Sequence, residues 1–337
     1  MSHMIDLKNK NLRTDLVEEN IINNSVTKID ENISITDIYL NKENGQLINK
    51  KEGRYITISY KDITDYDNKI KVTKIFTKQF NKILKEIKIK KDDNVLVVGL
   101  GNINVIADSL GPKTTNSILV TKHLFDLNSV EEGFRCVSIL NPSVKGLTGI
   151  ETQKHILSLV KEEKPDLLIV IDALASSSIS RVNKTIQMST AGISPGSGVS
   201  NTRTEISKET VGIPVISVGI PTVVDAATIV SDTISYLYKH FTYTKQNLNN
   251  PMNKLLISSI NYLKKDININ KEDKEKLFGV IGLLNEDDTK KLILEVLTPT
   301  GYNMVVTPKE VDYEIDILSN IISSGINNSL HKKVNHL

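Results

Sequence analysis

One cysteine, Cys136, stands in the whole chain. No internal disulfide framework can therefore brace the fold, and the usage suits a reducing cytoplasm. Cys136 is also a poor nucleophile, because it lies within the apolar stretch Phe134-Arg-Cys-Val-Ser-Ile-Leu140, where a cysteine serves as a small core residue. No apolar run is long enough to cross a bilayer, and the polar, charged N-terminus has no secretory signal. Charge of one sign is missing too: 42 Lys and Arg face 40 Asp and Glu, a formal net charge of +2, which leaves no electrostatic case for nucleic acid or an acidic membrane. A Gly-x-x-x-x-Gly-Lys-Ser/Thr phosphate loop is absent. Gly99-Leu-Gly101 has Asn104 where a dinucleotide fingerprint needs its third glycine. His123, His155, His240, His331 and His336 lie far apart and form no helical pair of metal ligands. His3 belongs to Met1-Ser2-His3-Met4, which reads as a cloning scar. Ser197, between Gly196 and Gly198, lacks the strand-to-helix setting of a nucleophile elbow. Neither a metal nor another cofactor is called for.

What is present is an alternation of strand and helix patterns. Ile33–Leu40 and Gly53–Tyr60 alternate at strand period and should pair as an antiparallel ribbon. Asp67–Ile87 carries an apolar stripe at helical spacing. Val95–Val98 and Leu167–Ile171 are short continuous apolar runs, the mark of buried parallel strands. Helical spacing is read over Lys113–Leu127, Glu151–Glu163 and from Pro221 to about Lys239. Further strands are read at Phe134–Leu140, Thr185–Met188 and Pro214–Gly219, with a Gly/Ser-rich loop over 190–203. Three helical segments follow, roughly 252–265, 271–297 with a break near Asn285, and 308–330. The expected class is α/β: a mainly parallel central sheet with helices on both faces, an N-terminal antiparallel ribbon and a helical C-terminal portion. Length allows one large domain or two; the expected division is an N-terminal segment with the cloning scar at 1–15, a core at 16–250 and a helical portion at 251–337 packed on it.

In open α/β sheets the working crevice lies beyond the carboxyl ends of the strands. Two aspartates stand there, Asp108 in the loop after Val95–Val98 and Asp172 directly after Leu167–Ile171. If those strands are neighbours, the carboxylates converge and share a proton, since close carboxylates cannot both ionise cheaply. One can then take a proton from water while the other donates to a carbonyl or leaving group, which suits hydrolysis. On the residues alone, helix capping or strand-end solvation is the readier account of both.

The residues also match a family. Arg13-Thr-Asp-Leu16, Glu52-Gly-Arg-Tyr-Ile-Thr-Ile58, Val97-Val-Gly-Leu-Gly-Asn102, Asp108-Ser-Leu-Gly-Pro112 and Gly146-Leu-Thr-Gly-Ile-Glu-Thr152 occur in that order. Ile171-Asp-Ala-Leu-Ala175, Pro195-Gly-Ser-Gly198, Gly212-Ile-Pro-Val215, Pro221-Thr-Val-Val-Asp-Ala226 and Val306-Thr-Pro-Lys-Glu-Val311 follow. With these the chain resembles, nearly end to end, the germination proteases of spore-forming bacteria. The resemblance implies an endopeptidase of atypical aspartic type that starts the degradation of small acid-soluble spore proteins in the spore core. Its two proposed catalytic aspartates fall on Asp108 and Asp172. It further implies a zymogen, a homotetramer and removal of an N-terminal segment by self-cleavage. The family's core is similar to hydrogenase-maturation proteases, which bind metal, and so a peptidase using the same aspartates as metal ligands is the rival enzyme. A binding protein that merely holds acidic spore proteins is the rival outside catalysis.

The family cuts after an acidic residue and before a large apolar one, which places self-cleavage here between Asp15 and Leu16. A carboxylate entering a cleft needs a partner or a proton. Arg203 and Lys145 are the candidate basic partners, although solvation alone also explains two loop cations, and activation on a fall in pH is consistent with that chemistry. Two departures stand out: Ile106-Ala107 where the family has Thr-Pro, so that no proline fixes φ before Asp108, and Ser194 where it has His.

Overall fold

The computed structural model describes residues 14–20, 26–194, 205–247, 267, 271–297 and 304–334. Two compact units emerge, one of Arg13–Val223 with Thr307–Leu337, the other centred on Val224–Val306. The helix over 226–246 belongs with the second of these units.

In the first unit the chain runs through β1 (Val26–Lys28), β2 (Ile33–Leu40), α1 (Lys42–Leu47), β3 (Gly53–Tyr60), α2 (Tyr66–Glu86) and β4 (Val95–Gly99). It continues through α3 (Leu110–Thr115), α4 (Lys122–Asp126), β5 (Val137–Leu140), α5 (Lys145–Thr148), α6 (Thr152–Glu163), β6 (Leu167–Ser176), β7 (Thr185–Ser189), α7 (Lys208–Val211) and β8 (Val215–Asp225). After the second unit it returns with α11 (Val311–Leu330). The sheet order is β1-β2-β3-β7-β8-β6-β4-β5. Strand β4 pairs in parallel with β5 and β6, whereas β1, β2, β3, β7 and β8 pair antiparallel in turn. The α/β class and the N-terminal ribbon are as expected. The parallel pattern is confirmed around β4, and the ribbon joins the same sheet through β3 and β7, making it mixed.

Strand period divides the apolar residues between two faces. Val95 and Val97 of β4, Leu167, Ile169 and Ile171 of β6, and Ile216 and Val218 of β8 face a core with Val72, Phe76, Phe80 and Ile83 of α2 and Leu318, Ile322 and Ile326 of α11. The alternate residues Leu96, Val98, Leu168 and Val170 face Ile156 and Val160 of α6. Asp65 caps α2 by accepting the Asn68 N–H at 2.8 Å. Helix α11 reaches α2 at Gly325, where an added Cβ would lie 2.2 Å from the Phe76 ring.

Three expectations are corrected. The single helix over 113–127 is two short helices, because the linking backbone takes tertiary partners: Leu119 N–H donates to Asn327 Oδ1 at 2.9 Å and Thr121 N–H to the Val137 carbonyl at 3.0 Å. The helix read from Pro221 starts only at Ala226, since 221–225 continue β8. Strand β6 does not stop at Ile171 but extends to Ser176, so Asp172 lies within it.

The second unit holds α8 (Ala226–Gln246), α9 (Lys271–Phe278), α10 (Glu286–Leu297) and β9 (Val305–Val306). There β9 pairs antiparallel with Val224 and Asp225. Ile293 and Leu294 pack with Ala227, and Lys245 Nζ pairs with the buried Asp273 at 2.6 Å. The segment expected as a helix at 252–265 lies outside the described residues. Among the described residues no helix is long and apolar enough to cross a membrane.

Candidate active site

Strand β4 is the shorter of the two central partners. Its last pairing with β6 is Gly99 with Ile171, after which the Leu100 N–H donates to the Ile171 carbonyl at 2.8 Å. Asp172 is therefore the first β6 residue past the end of β4. It is buried, 6 % exposed, and its Oδ1 accepts the Ala173 N–H at 2.9 Å.

Beyond β4 the chain turns at Gly101, whose φ of 111° suits glycine. An added Cβ there would sit 2.0 Å from the Asp108 carbonyl. The loop folds back so that Asn102 N–H donates to Asp108 Oδ2 at 2.8 Å. A 3-10 turn, Ile106–Asp108, presents the half-buried aspartate. The turn is tied down where a proline is missing: the Thr222 hydroxyl donates to the Ala107 carbonyl at 2.6 Å and Ser109 Oγ to the Ile106 carbonyl at 2.8 Å. Gly111 then seats α3 against both strands, since a Cβ on it would lie 2.2 Å from the Leu100 carbonyl oxygen and 2.7 Å from that of Ile171. The condition set from sequence, that the two strands be neighbours, is met, and the turn carrying Asp108 packs against β6.

The N-terminal segment lies in the same place. Along a strand, backbone polar groups of successive residues face alternate edges. Leu167 N–H and the Ile171 carbonyl face β4, whereas Leu168 N–H faces the β8 side through the Pro214 carbonyl. Ala175 has the parity of 167 and 171, so it presents its groups on the edge that β4 has vacated. Asp15 occupies that edge: its N–H donates to the Ala175 carbonyl at 3.0 Å and its Oδ2 accepts the Ala175 N–H at 2.9 Å. Ala175 is three residues past Asp172, about 10 Å along a strand.

Buried Gln187 of β7 bonds the backbone on either side of Leu16. Its Nε2 donates to the Asp15 carbonyl at 3.2 Å, and its Oε1 accepts the Val17 N–H at 2.9 Å. Leu16 and Val17 are fully buried. Glu19 accepts from Ser176 Oγ at 2.6 Å and from Ser177 N–H and Oγ at 2.9 and 2.8 Å. Arg181 pairs with Glu18 and lies 3.5 Å from Glu19. Burial pushes the Arg181 guanidinium below its ordinary value.

Of the basic residues singled out from sequence, Lys145 is exposed on α5 and its ammonium pairs with Glu151. Arg203 lies outside the described residues. Burial raises the Cys136 thiol, which suits a packed rather than a reactive cysteine. Among the described residues no group of three or more His, Cys, Asp or Glu is placed to hold a metal ion. Gln187, Ser176, Ser177 and Arg181 were not legible from sequence. Thr185, Gln187 and Ser189 alternate with Ile186 and Met188 along β7, and all three polar residues are buried.

Comparison with known proteins defines the class as a protease. The germination protease family model matches residues 3–337. The chain is similar to the germination protease of Bacillus velezensis, 46% identical over 311 residues, covering 90% of this chain and 84% of that one. It is likewise similar to the germination protease of a Geobacillus species, 44% identical over 363 aligned residues, covering 99% of this chain and 97% of that one. A solved [NiFe] hydrogenase maturation protease, HycI from Thermococcus kodakarensis, aligns with 42% of this chain and 80% of its own at 18% identity, with a TM-score of 0.28, too slight a likeness to build on. The chain belongs to the germination protease family.

Proposed function

We propose that this protein is a self-processing endopeptidase that begins the degradation of small acid-soluble spore proteins in the spore core, with Asp108 and Asp172 activating water. The observation that carries the reading is the lodging of Asp15 on β6, where it pairs with Ala175 three residues past the buried Asp172. An extended segment added to a sheet edge is a common way to present a peptide for recognition. In this reading Asp15-Leu16 is the bond cut, the precursor holds its own first substrate, and later substrates follow the same path. One carboxyl of the pair takes a proton from water while the other donates one to the carbonyl or leaving group. Assembly into a homotetramer belongs to the same proposal. So does recruitment of substrate acids by Arg203 and Lys145.

Intact-mass analysis tests it. The wild type is incubated at mildly acidic and neutral pH, beside Asp172→Asn, Asp108→Asn and a chelator-treated sample. Loss of residues 1–15 in the wild type and the chelated sample, and in neither variant, supports the aspartate mechanism. Loss prevented by chelator moves the case to aspartates acting as metal ligands. Cleavage that persists in Asp172→Asn removes that residue from the chemistry.

A further inference from the structure

Gln187 is the one side chain that bonds the backbone on both sides of Leu16, at the Asp15 carbonyl and at the Val17 N–H, among the hydrogen bonds described above. Its amide has one donating and one accepting end, and both are used. The Asp15 carbonyl requires a donor and the Val17 N–H an acceptor, so only one orientation of the amide serves both. The amide is buried, at 8 % exposure for the residue, and it is neutral. A neutral donor already aimed at a carbonyl oxygen in a site of low dielectric needs no reorganisation when that oxygen becomes charged.

Resting on the cleavage proposed above, we infer that Gln187 is a further catalytic residue, the donor that stabilises the oxyanion when the Asp15-Leu16 bond, and later a substrate bond in its place, is hydrolysed. The step balances as follows. The water oxygen forms a bond to the Asp15 carbonyl carbon and gives a proton to the aspartate pair, while the carbonyl π pair moves onto the oxygen facing Gln187 Nε2. The C–N bond then breaks, the electron pair returns to form the new carboxyl, and the Leu16 nitrogen leaves as an amine with a proton from the aspartate pair. At 3.2 Å the contact is long for a neutral carbonyl, and charge on the oxygen would draw it in, so the bond strengthens in the transition state. This is the condition for acceleration rather than mere binding. Acceptance of the Val17 N–H does the complementary work: it fixes the chain two residues after Asp15, so the carbonyl cannot rotate away from the donor.

The experiment follows self-processing of the full chain by intact mass, with first-order rates for wild type, Gln187→Leu, Gln187→Glu and Asp172→Asn. Hydrogen exchange of residues 14–20 is measured on the same samples. Removing an oxyanion donor typically costs about 100- to 1,000-fold in rate. Gln187→Leu should lose that much. Because it also loses the acceptor for Val17, its segment could come away, so Gln187→Glu is decisive. The glutamate keeps an acceptor for Val17 and should keep the segment protected from exchange, but it donates to the carbonyl only when protonated. Its rate relative to wild type should be down by 100-fold or more at neutral pH and should climb as the pH falls.

A Gln187→Glu chain that processes within threefold of wild type at neutral pH overturns the inference. So does a constant ratio across pH, since a residue that only docks the segment predicts one. The underlying reading fails separately. If the wild type cuts elsewhere, both fall; if Asp172→Asn cuts at the wild-type rate, the aspartate assignment falls while the Gln187 ratios still decide the donor.

Discussion

Gly111→Ala should destabilise the first unit, although alanine is the better helix former. The backbone at 111 is in α3 and its φ is not positive. A methyl group would therefore gain about 0.5–1 kcal/mol from reduced unfolded-state entropy if space allowed. Space does not allow it. The Cβ would meet Leu100 O at 2.2 Å, Leu100 N at 2.5 Å and Ile171 O at 2.7 Å, all backbone atoms of the paired β4 and β6 ends. None of these can rotate aside. Either α3 lifts or the strands part, a strain of the overpacking kind that costs about 1–3 kcal/mol. Parting the strands also breaks the Leu100 N–H to Ile171 carbonyl bond, worth about 1 kcal/mol. The clash wins, with a net loss of about 2 kcal/mol.

At roughly 2–4 °C per kcal/mol for a unit of this size, thermal unfolding should move down by about 4–8 °C. Self-processing should slow as well, because the loop carrying Asp108 is anchored at that contact. Gly146→Ala is the control, since nothing lies within 4 Å of its Cβ and it sits in α5; it should be neutral or slightly stabilising. A Gly111→Ala midpoint indistinguishable from that of Gly146→Ala would refute the packing argument.

Three further outcomes are expected. His331 is fully buried, its Nδ1 accepts the Arg135 N–H at 3.2 Å, and burial holds its pKa below the ordinary 6.5. The unfolded chain then binds the proton first, so stability falls as the pH drops through about 6.5; the urea midpoint of wild type should decline more steeply over that range than that of His331→Leu. Arg181→Ala removes the guanidinium that pairs with Glu18 and Glu19, which should raise the opening of segment 14–20 by roughly tenfold to a hundredfold in hydrogen exchange, given that one-sided loss of a buried pair costs a few kcal/mol and Arg181 is part-exposed. Lys145→Ala breaks a surface pair, side chains 59 % and 38 % exposed, and should shift stability by no more than about 0.5 kcal/mol. Any processing defect in that variant, measured against an unchanged melting curve, then reports substrate contact.

The local pattern decided a good deal by itself. Ile33–Leu40 and Gly53–Tyr60 are strands with the bounds their alternation indicated, and α2 begins one residue before the apolar stripe that defined it. The buried parallel pair was legible because a strand covered on both faces has to be apolar throughout, and Val95–Val98 and Leu167–Ile171 are. The two aspartates stand out for the same reason, as the first acids after those runs. Local pattern failed where distant partners satisfy the backbone. The helix expected over 113–127 breaks because Asn327 and Val137 take its amides, and 221–225 stay extended as the end of β8. Placement of the leader was beyond any spacing rule. That Asp15 lies on β6, that Gln187 bonds the backbone on either side of Leu16, and that Arg181 answers two glutamates are contacts across 160 or more residues. Only the closing of the sheet ends β4 beside Ile171, four residues short of the Ala175 that Asp15 pairs with.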